Sequence, residues 1–467
     1  MPKWFQNDLL KAGLEAFAIA VILTPILRDV FRSYNIVDHP GQRKVHAHPI
    51  PRIGGIPIAV AYGAALLSLS SSSGGLDIAL WKLLPGASLI FLTGLMDDLF
   101  NLRPLAKLSG QIAASLLVFF SGLRLDVLGK AELPLWLNLP LTLFWLLLTT
   151  NALNLIDGLD GLCAGVGLLA TLTLFGAALL HNNQPLVYTT LPLACALIGF
   201  LCYNLNPATV FLGDSGALLI GFLLGCYGMI WTQKTSTLIS ILVPLMALSL
   251  PLLDLILAVV RRMLRRQSIF SADRGHIHHR LLDQGLTPGR AVLVLYLIGA
   301  AAAGLGVLLS APQIARFQNV VIAVILGGVW MGMRKLRYRE IHLMGRMVFG
   351  GGLQQDLRGK LLLEQLEATL RKMDTPEIWW TALVTAAKDF GWIRMSWDGP
   401  MGFQEVSLEQ QLPSEPAWSF HILLGTWGSV KVEGCSGKDG LDLVAFAEVL
   451  RNSVSNKNVK TRQPAIH

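Results

Sequence analysis

The sequence predicts an all-α polytopic membrane protein with a small C-terminal α+β domain, on three observations. Of 467 residues, 53% are hydrophobic and 15% charged, against roughly 25% charged in soluble domains. Apolar runs of about 20 residues, the length that crosses a bilayer, recur as far as residue 333. After Arg334 the pattern changes to short amphipathic helices and alternating strands.

The spans fall at 9–30, 55–72, 79–96, 105–121, 135–152, 162–180, 186–203, 215–232, 237–260, 291–310 and 317–333, about eleven transmembrane helices in all. An odd number puts the termini on opposite sides. With the N-terminus outside, the inward loops hold roughly 18 basic residues and the outward ones about 7, as the positive-inside rule requires. The expected location is therefore the inner (plasma) membrane, with the acidic loops and the C-terminal domain cytoplasmic. The net charge of +8 follows from this topology and suits anionic headgroups. No nucleic-acid-reading module is visible. Cys163, Cys195, Cys202, Cys226 and Cys435 lack metal-ligand spacing and read as small core residues.

The domains expected are a membrane part at 1–335, a Gly-rich linker at 336–358 and an accessory α+β domain at 359–467. In the last, helices are expected at 360–373, 376–390 and 441–455, and strands at 393–397, 418–424 and 428–433. It offers no motif for chemistry.

Chemistry concentrates in the inward loops. The first, 38–55, carries His39, His46 and His48 with Arg43, Lys44 and Arg52, and its Gly54-Gly55 pair permits close backbone approach. This reads as a loop for an anionic substrate. The next run ends in Asp97-Asp98, adjacent acids that point in different directions and so serve different partners. Lys107 and Gln111 follow, one turn apart on one helix face. At 151–161, Asn-Ala-Leu-Asn-Leu-Ile-Asp-Gly-Leu-Asp-Gly sets a polar island between apolar runs, and acids at a membrane edge are costly to keep without a function. Asn154, Asp157 and Asp160 recur every third residue. On a helical turn they align three oxygen donors suited to a hard cation such as Mg²⁺. Asp214, in Phe-Leu-Gly-Asp-Ser-Gly at 211–216, opens another apolar helix and reads either as a cation ligand or as an N-cap. Asp254 lies inside the ninth span and receives no chemistry. The last inward loop joins Arg261-Arg262 and Arg265-Arg266 to His276-Ile277-His278-His279-Arg280. Without an accompanying cysteine, these histidines suit phosphate contact and proton handling better than zinc.

Five strings in order, HAHPIPRIGG at 46–55, GLMDD at 94–98, NALNLIDGLDGL at 151–162, FLGDSG at 211–216 and HIHHRL at 276–281, give residues 10–335 a resemblance to the polyprenyl-phosphate N-acetylhexosamine-1-phosphate transferases. A more distant one is to the phospho-MurNAc-pentapeptide translocases. The resemblance implies transfer of N-acetylhexosamine-1-phosphate, with GlcNAc-1-phosphate first in expectation, from a UDP-sugar to polyprenyl (undecaprenyl) phosphate. The products would be UMP and a polyprenyl-pyrophosphoryl sugar for envelope glycan synthesis, with Mg²⁺ or Mn²⁺ as cofactor. It implies Asn154 and Asp214 as metal ligands and Asp97 and Asp98 as acids serving the acceptor phosphate, with Asp157, His276, His278 and His279 beside them as catalytic groups. Gly158, Leu159, Asp160 and Asn204 would form the uridine pocket, and Lys107, Arg52 and Arg280 would contact phosphates or lipid. A homodimer is compatible with it. Where the translocases carry Lys-Gly-Thr-Pro, this chain has His48-Pro49-Ile50-Pro51-Arg52, which favours a simple UDP-aminosugar.

Three other classes fit less well. A transporter would spread acids through membrane depth, whereas these sit at span ends on one side. An alcohol phosphotransferase would continue its Asp-Gly element with an Ala-Arg pair and two further acids, and Leu162–Leu180 has none. A scaffold leaves the clustered acids unexplained.

Overall fold

The computed structural model describes residues 3–37, 49–72, 78–125, 127–128, 131–234, 241–264, 275–311, 323, 327, 353–370, 373, 375–390, 392–408, 418–434 and 443–460. The loop histidines His39, His46 and His48, the span expected at 317–333 apart from two residues, and the basic stretch 265–274 lie outside them. The chain divides into two compact units, Met1–Val259 with Ala272–Arg337, and Val260–Ser271 with Tyr338–His467.

The first unit is helical: α1 (Lys3–Ser33), α2 (Gly55–Ser72), α3 (Ile78–Phe100), α4 (Pro104–Phe120), α5 (Leu135–Ile156), α6 (Leu162–Leu180), α7 (Gln184–Asn204), α8 (Gly213–Lys234), α9 (Leu242–Ala247), α10 (Ser249–Leu264, whose end passes into the second unit), α11 (Ile277–Asp283) and α12 (Pro288–Ser310). A two-residue antiparallel ribbon, β1 (Val127–Leu128) with β2 (Ala131–Glu132), precedes α5. Among the described residues seven helices are long and apolar enough to cross a membrane, with two shorter apolar helices, Gly55–Ser70 and Pro104–Phe120. These match the expected spans through the eighth, and α12 matches the tenth. The ninth is broken between Ala247 and Ser249. Pro251 accounts for the break, because it has no N–H to donate and its ring crowds the carbonyl four residues back, at Ala247.

α8 is the enclosed helix, packed by α2, α3, α5 and α6. Lipid supplies no hydrophobic drive between helices, so close backbone packing must hold them, and glycines provide it. A Cβ on Gly221 would lie 2.7 Å from the Thr149 carbonyl and 2.8 Å from Thr150 Cα, and one on Gly225 would lie 2.4 Å from Thr149 Oγ1. Trp145 Nε1 donates to the Gly225 carbonyl at 2.9 Å across the same crossing.

The second unit contains α13 (Leu353–Leu370), α14 (Pro376–Phe390), β3 (Arg394–Gly399), β4 (Gly402–Ser407), β5 (Trp418–Leu423), β6 (Ser429–Gly434) and α15 (Leu443–Lys460). The sheet is antiparallel throughout in the order β4-β3-β6-β5. Alternation buries Met395 and Trp397 of β3 and Val430 and Val432 of β6 beneath helices that contribute Trp379, Leu383, Phe446 and Leu450. Trp379 and Trp397 lie 5.3 Å apart, and their ring nitrogens reach Ser453 Oγ and the Trp427 carbonyl. Two sequence expectations change here. α13 begins inside the stretch read as a Gly-rich linker, and β4 was missed because Gly-Phe-Gln-Glu-Val-Ser is mostly exposed and too polar to announce a strand.

Candidate active site

Three loops meet at one end of the first unit. Phe211 N–H donates to the Pro51 carbonyl at 3.0 Å, and Gly54 N–H and Gly55 N–H donate to the Phe211 and Leu212 carbonyls at 2.9 and 3.0 Å. This parallel zipper brings Arg52 opposite Phe211. Glycine is required where the loop touches α8, since a Cβ on Gly55 would lie 2.4 Å from Gly216 N.

The adjacent acids do serve different partners. Asp98 binds the start of α8: its Oδ1 accepts from Asp214 N at 2.7 Å, and its Oδ2 accepts from Ser215 N at 2.9 Å and Ser215 Oγ at 2.6 Å. A carboxylate there satisfies otherwise orphaned N–H groups and opposes the helix dipole. Asp97 turns the other way, accepting from Leu102 N at 2.7 Å and Lys107 Nζ at 2.9 Å. Lys107 Nζ is also bonded to Asp214 Oδ2. Asn154 completes the group: its carboxamide lies 3.1 Å from both Asp214 Oδ1 and Lys107 Nζ, and a carboxylate on one side and an ammonium on the other require the nitrogen toward Asp214 and the oxygen toward Lys107. Asp214 therefore leaves the capping of α8 to Asp98. Side chains from α3, α4, α5 and α8 thus share one ammonium. One turn further along α4, Gln111 and Asn151 exchange amide hydrogen bonds of 2.8 and 3.2 Å that tie α4 to α5 beneath the group.

The expected alignment of Asn154, Asp157 and Asp160 on a helix face does not occur. α5 stops at Ile156, and the chain turns through Gly158 and Gly161, the latter at φ +76°, where glycine carries no Cβ penalty. Asp157 closes α5. Burial first, then the nearby carboxylates of Asp214 and Asp98, push its carboxyl up to about 8, with Arg52 pulling the other way. Asp160 instead binds the next loop, its Oδ2 accepting from Asn206 Nδ2 at 2.9 Å and Ala208 N at 3.0 Å. Asn204 is buried, with its oxygen on Gly161 N–H (3.1 Å) and its nitrogen on the Val210 carbonyl (2.9 Å). Leu159 is buried and Gly158 exposed. Tyr296, which the sequence reading passed over, donates to the Gly161 carbonyl at 2.6 Å.

The histidine helix reaches the same turn. A Cβ on Gly158 would lie 2.4 Å from His278 Nε2, so this ring packs on the glycine. His278 is buried; that burial and the neighbouring His279 and His276 lower it to about 4, against the pull of Asp254. The ring of His276 stacks on that of His278 at 5.7 Å, and His279 lies 4.3 Å from His278. Arg280 Nε donates to the Gly275 carbonyl at 3.2 Å. Asp254, to which sequence reasoning gave no chemistry, reaches His276 Nδ1 at 3.0 Å and accepts from Ile277 N at 2.9 Å. Among the described residues no group of three His, Cys, Asp or Glu side chains has the arrangement of a metal cage.

Comparison with known proteins gives the chain its relatives. The model of glycosyl transferase family 4 matches residues 80–232. Over 294 residues, 62% of this chain and 81% of the other, the chain is 34% identical to the "Probable undecaprenyl-phosphate N-acetylglucosaminyl 1-phosphate transferase" of Bacillus subtilis strain 168. It is 33% identical over 355 residues to the decaprenyl-phosphate N-acetylglucosaminephosphotransferase of Mycolicibacterium smegmatis, covering 68% of this chain and 87% of that protein. Identity is 28% over 316 residues with the undecaprenyl-phosphate alpha-N-acetylglucosaminyl 1-phosphate transferase of Escherichia coli K12, covering 64% and 84%.

Proposed function

This chain belongs to glycosyl transferase family 4, among the polyprenyl-phosphate N-acetylglucosamine-1-phosphate transferases, and we propose that it takes the sugar phosphate from UDP-N-acetylglucosamine and releases UMP. An oxygen of the lipid phosphate attacks the sugar-bearing phosphorus. The bond from that phosphorus to the bridging oxygen breaks, and UMP leaves with the electron pair.

The observation that carries this reading is Lys107 held among Asp97, Asp214 and Asn154 at the helix ends. Two polyanions must meet there, and their repulsion is the barrier that fixed positive charge reduces. The oxygen set already selects a cation. It fits Mg²⁺ or Mn²⁺, which need only one or two carboxylates while phosphate and water complete the shell. Asp214 and Asn154 would hold that ion with Asp97 beside them, and it would supply charge neutralisation across the pyrophosphate. Lys107 then turns to a phosphate. Asp97 receives the proton of the acceptor, a light task because a phosphate's second ionisation lies near pH 6. Asp98 keeps α8 in place. Gly158, Leu159 and Asp160 face the uridine, while Arg52, Arg280 and the α11 histidines contact the pyrophosphate. The loops face the cytoplasm of a plasma membrane, where nucleotide sugar and lipid phosphate meet.

The test is UMP release by the purified protein in lipid nanodiscs with polyprenyl phosphate, UDP-N-acetylglucosamine and Mg²⁺. Asp214→Asn should lower the rate by at least about a thousandfold, and full activity in that variant would refute the site.

A further inference from the structure

The contact between α10 and α11 has no place in the mechanism so far. Asp254 is 1% exposed on a helix whose other charged residues, Arg261 and Arg262, lie in its last turn, a costly position for a carboxylate unless it is fully used. Both oxygens are used at the start of α11: Oδ2 lies 3.0 Å from Nδ1 of His276, the residue before it, and Oδ1 accepts the Ile277 N–H at 2.9 Å. Satisfying that backbone N–H alone would need only one neutral acceptor, such as a serine or asparagine oxygen. The second oxygen does something else. A carboxylate can only accept, so it requires a proton on His276 Nδ1 and leaves Nε2 as the ring atom able to act on a phosphate or its proton. The ring of His276 stacks on His278, which packs on Gly158 of the Asp-Gly turn. The orientation set by Asp254 is therefore passed to the site.

We propose that Asp254 is a positioning residue for the transfer reaction, acting through His276 by fixing its Nδ1-protonated form and its ring plane. The proposal rests on the transferase reading above. It separates from a purely structural role because asparagine preserves one function and inverts the other. In Asp254→Asn the side-chain oxygen still accepts from Ile277 N–H, while the amide NH₂ faces Nδ1 and donates to it, driving the proton to Nε2.

Nitrogen NMR of the full-length protein in nanodiscs, with histidine labelled and His276 assigned by His276→Gln, reads the ring directly. The parent should show Nδ1 protonated and Asp254→Asn the opposite tautomer; a neutral parent ring protonated on Nε2 overturns the proposal without any variant. In the UMP-release assay, Asp254→Asn should lower kcat about a hundredfold with KM changed less than about threefold and the thermal unfolding midpoint near that of the parent. In a His276→Gln background the same change should cost less than about threefold, because its partner is gone. A full hundredfold loss in that background, or parent-like kcat in the single variant, overturns the proposal. If the parent itself releases no UMP, the transferase reading fails, and the tautomer measurement still decides whether Asp254 orients His276.

Discussion

The adjacent carboxylates Asp97 and Asp98 share a helix end and yet do different work, and their substitutions should part accordingly. Asp98 accepts three hydrogen bonds from Asp214 and Ser215, so Asp98→Asn sets an NH₂ group against an N–H donor and leaves a buried donor unsatisfied, at about 1–3 kcal/mol. Asp97→Asn removes a carboxylate that faces Lys107. Both should abolish UMP release, but only Asp98→Asn should lower the thermal midpoint markedly; equal midpoints would contradict the division. A second residue-scale expectation concerns pH. Asp157 holds its proton up to about 8 when folded and would release it near 3.8 when unfolded, so the native state binds the extra proton between these values and stability falls as pH rises through them. His278, lowered to about 4 from 6.5, acts in the opposite sense: its contribution is intact above 6.5 and is lost as pH falls to 4. The two slopes oppose one another between pH 4 and 6.5, and above that the Asp157 slope no longer has His278 against it. The parent should lose about 2 kcal/mol between pH 6.5 and 8 relative to Asp157→Asn, and parallel stability curves for the two would refute it.

Secondary elements were legible where one physical signal dominated. Six of the first eight spans announced themselves by apolar length, α2 and α4 being shorter apolar helices, and the acid-bearing loops by the cost of placing carboxylates at a membrane edge. What stayed hidden depended on partners distant in the chain. Asp254 looked like a stray acid because His276 lies 22 positions away. Tyr296 sits in an ordinary apolar helix, and the Asn154, Asp157, Asp160 spacing mimicked a helix that Gly158 and Gly161 end. The Asp-Gly turn and the histidine helix form a single packed element pair, so a methyl group should separate them. Gly158→Ala places its Cβ 2.4 Å from His278 Nε2, and the stacked, buried ring has little room to yield. UMP release should drop more than tenfold, an overpacking effect of about 1–3 kcal/mol. Gly176→Ala, whose nearest atom would be 3.9 Å away, should leave it unchanged. Parent-like activity in Gly158→Ala would show that the two elements move apart without cost.

At the scale of the whole molecule, each unit has its own interior. The residues proposed for catalysis, from Arg52 to Arg280, all belong to the first. The second encloses Trp379, Trp397, Val430, Val432 and Phe446 under its own sheet and helices, and its sequence offers no motif for chemistry. The relatives compared align with 62 to 68% of this chain, so about a third of it contributes nothing to those alignments. Chemistry carried by the first unit should therefore survive loss of the rest. A chain ending at Arg337 should keep UMP release within about threefold of the full-length protein, because nothing that holds Lys107, Asp214 or His276 in the first unit is removed. The truncated protein must first elute as a single species in detergent with a helical circular dichroism spectrum. If it meets that condition and has lost all activity, the second unit takes part in the reaction, and confining the active site to the membrane part would be wrong.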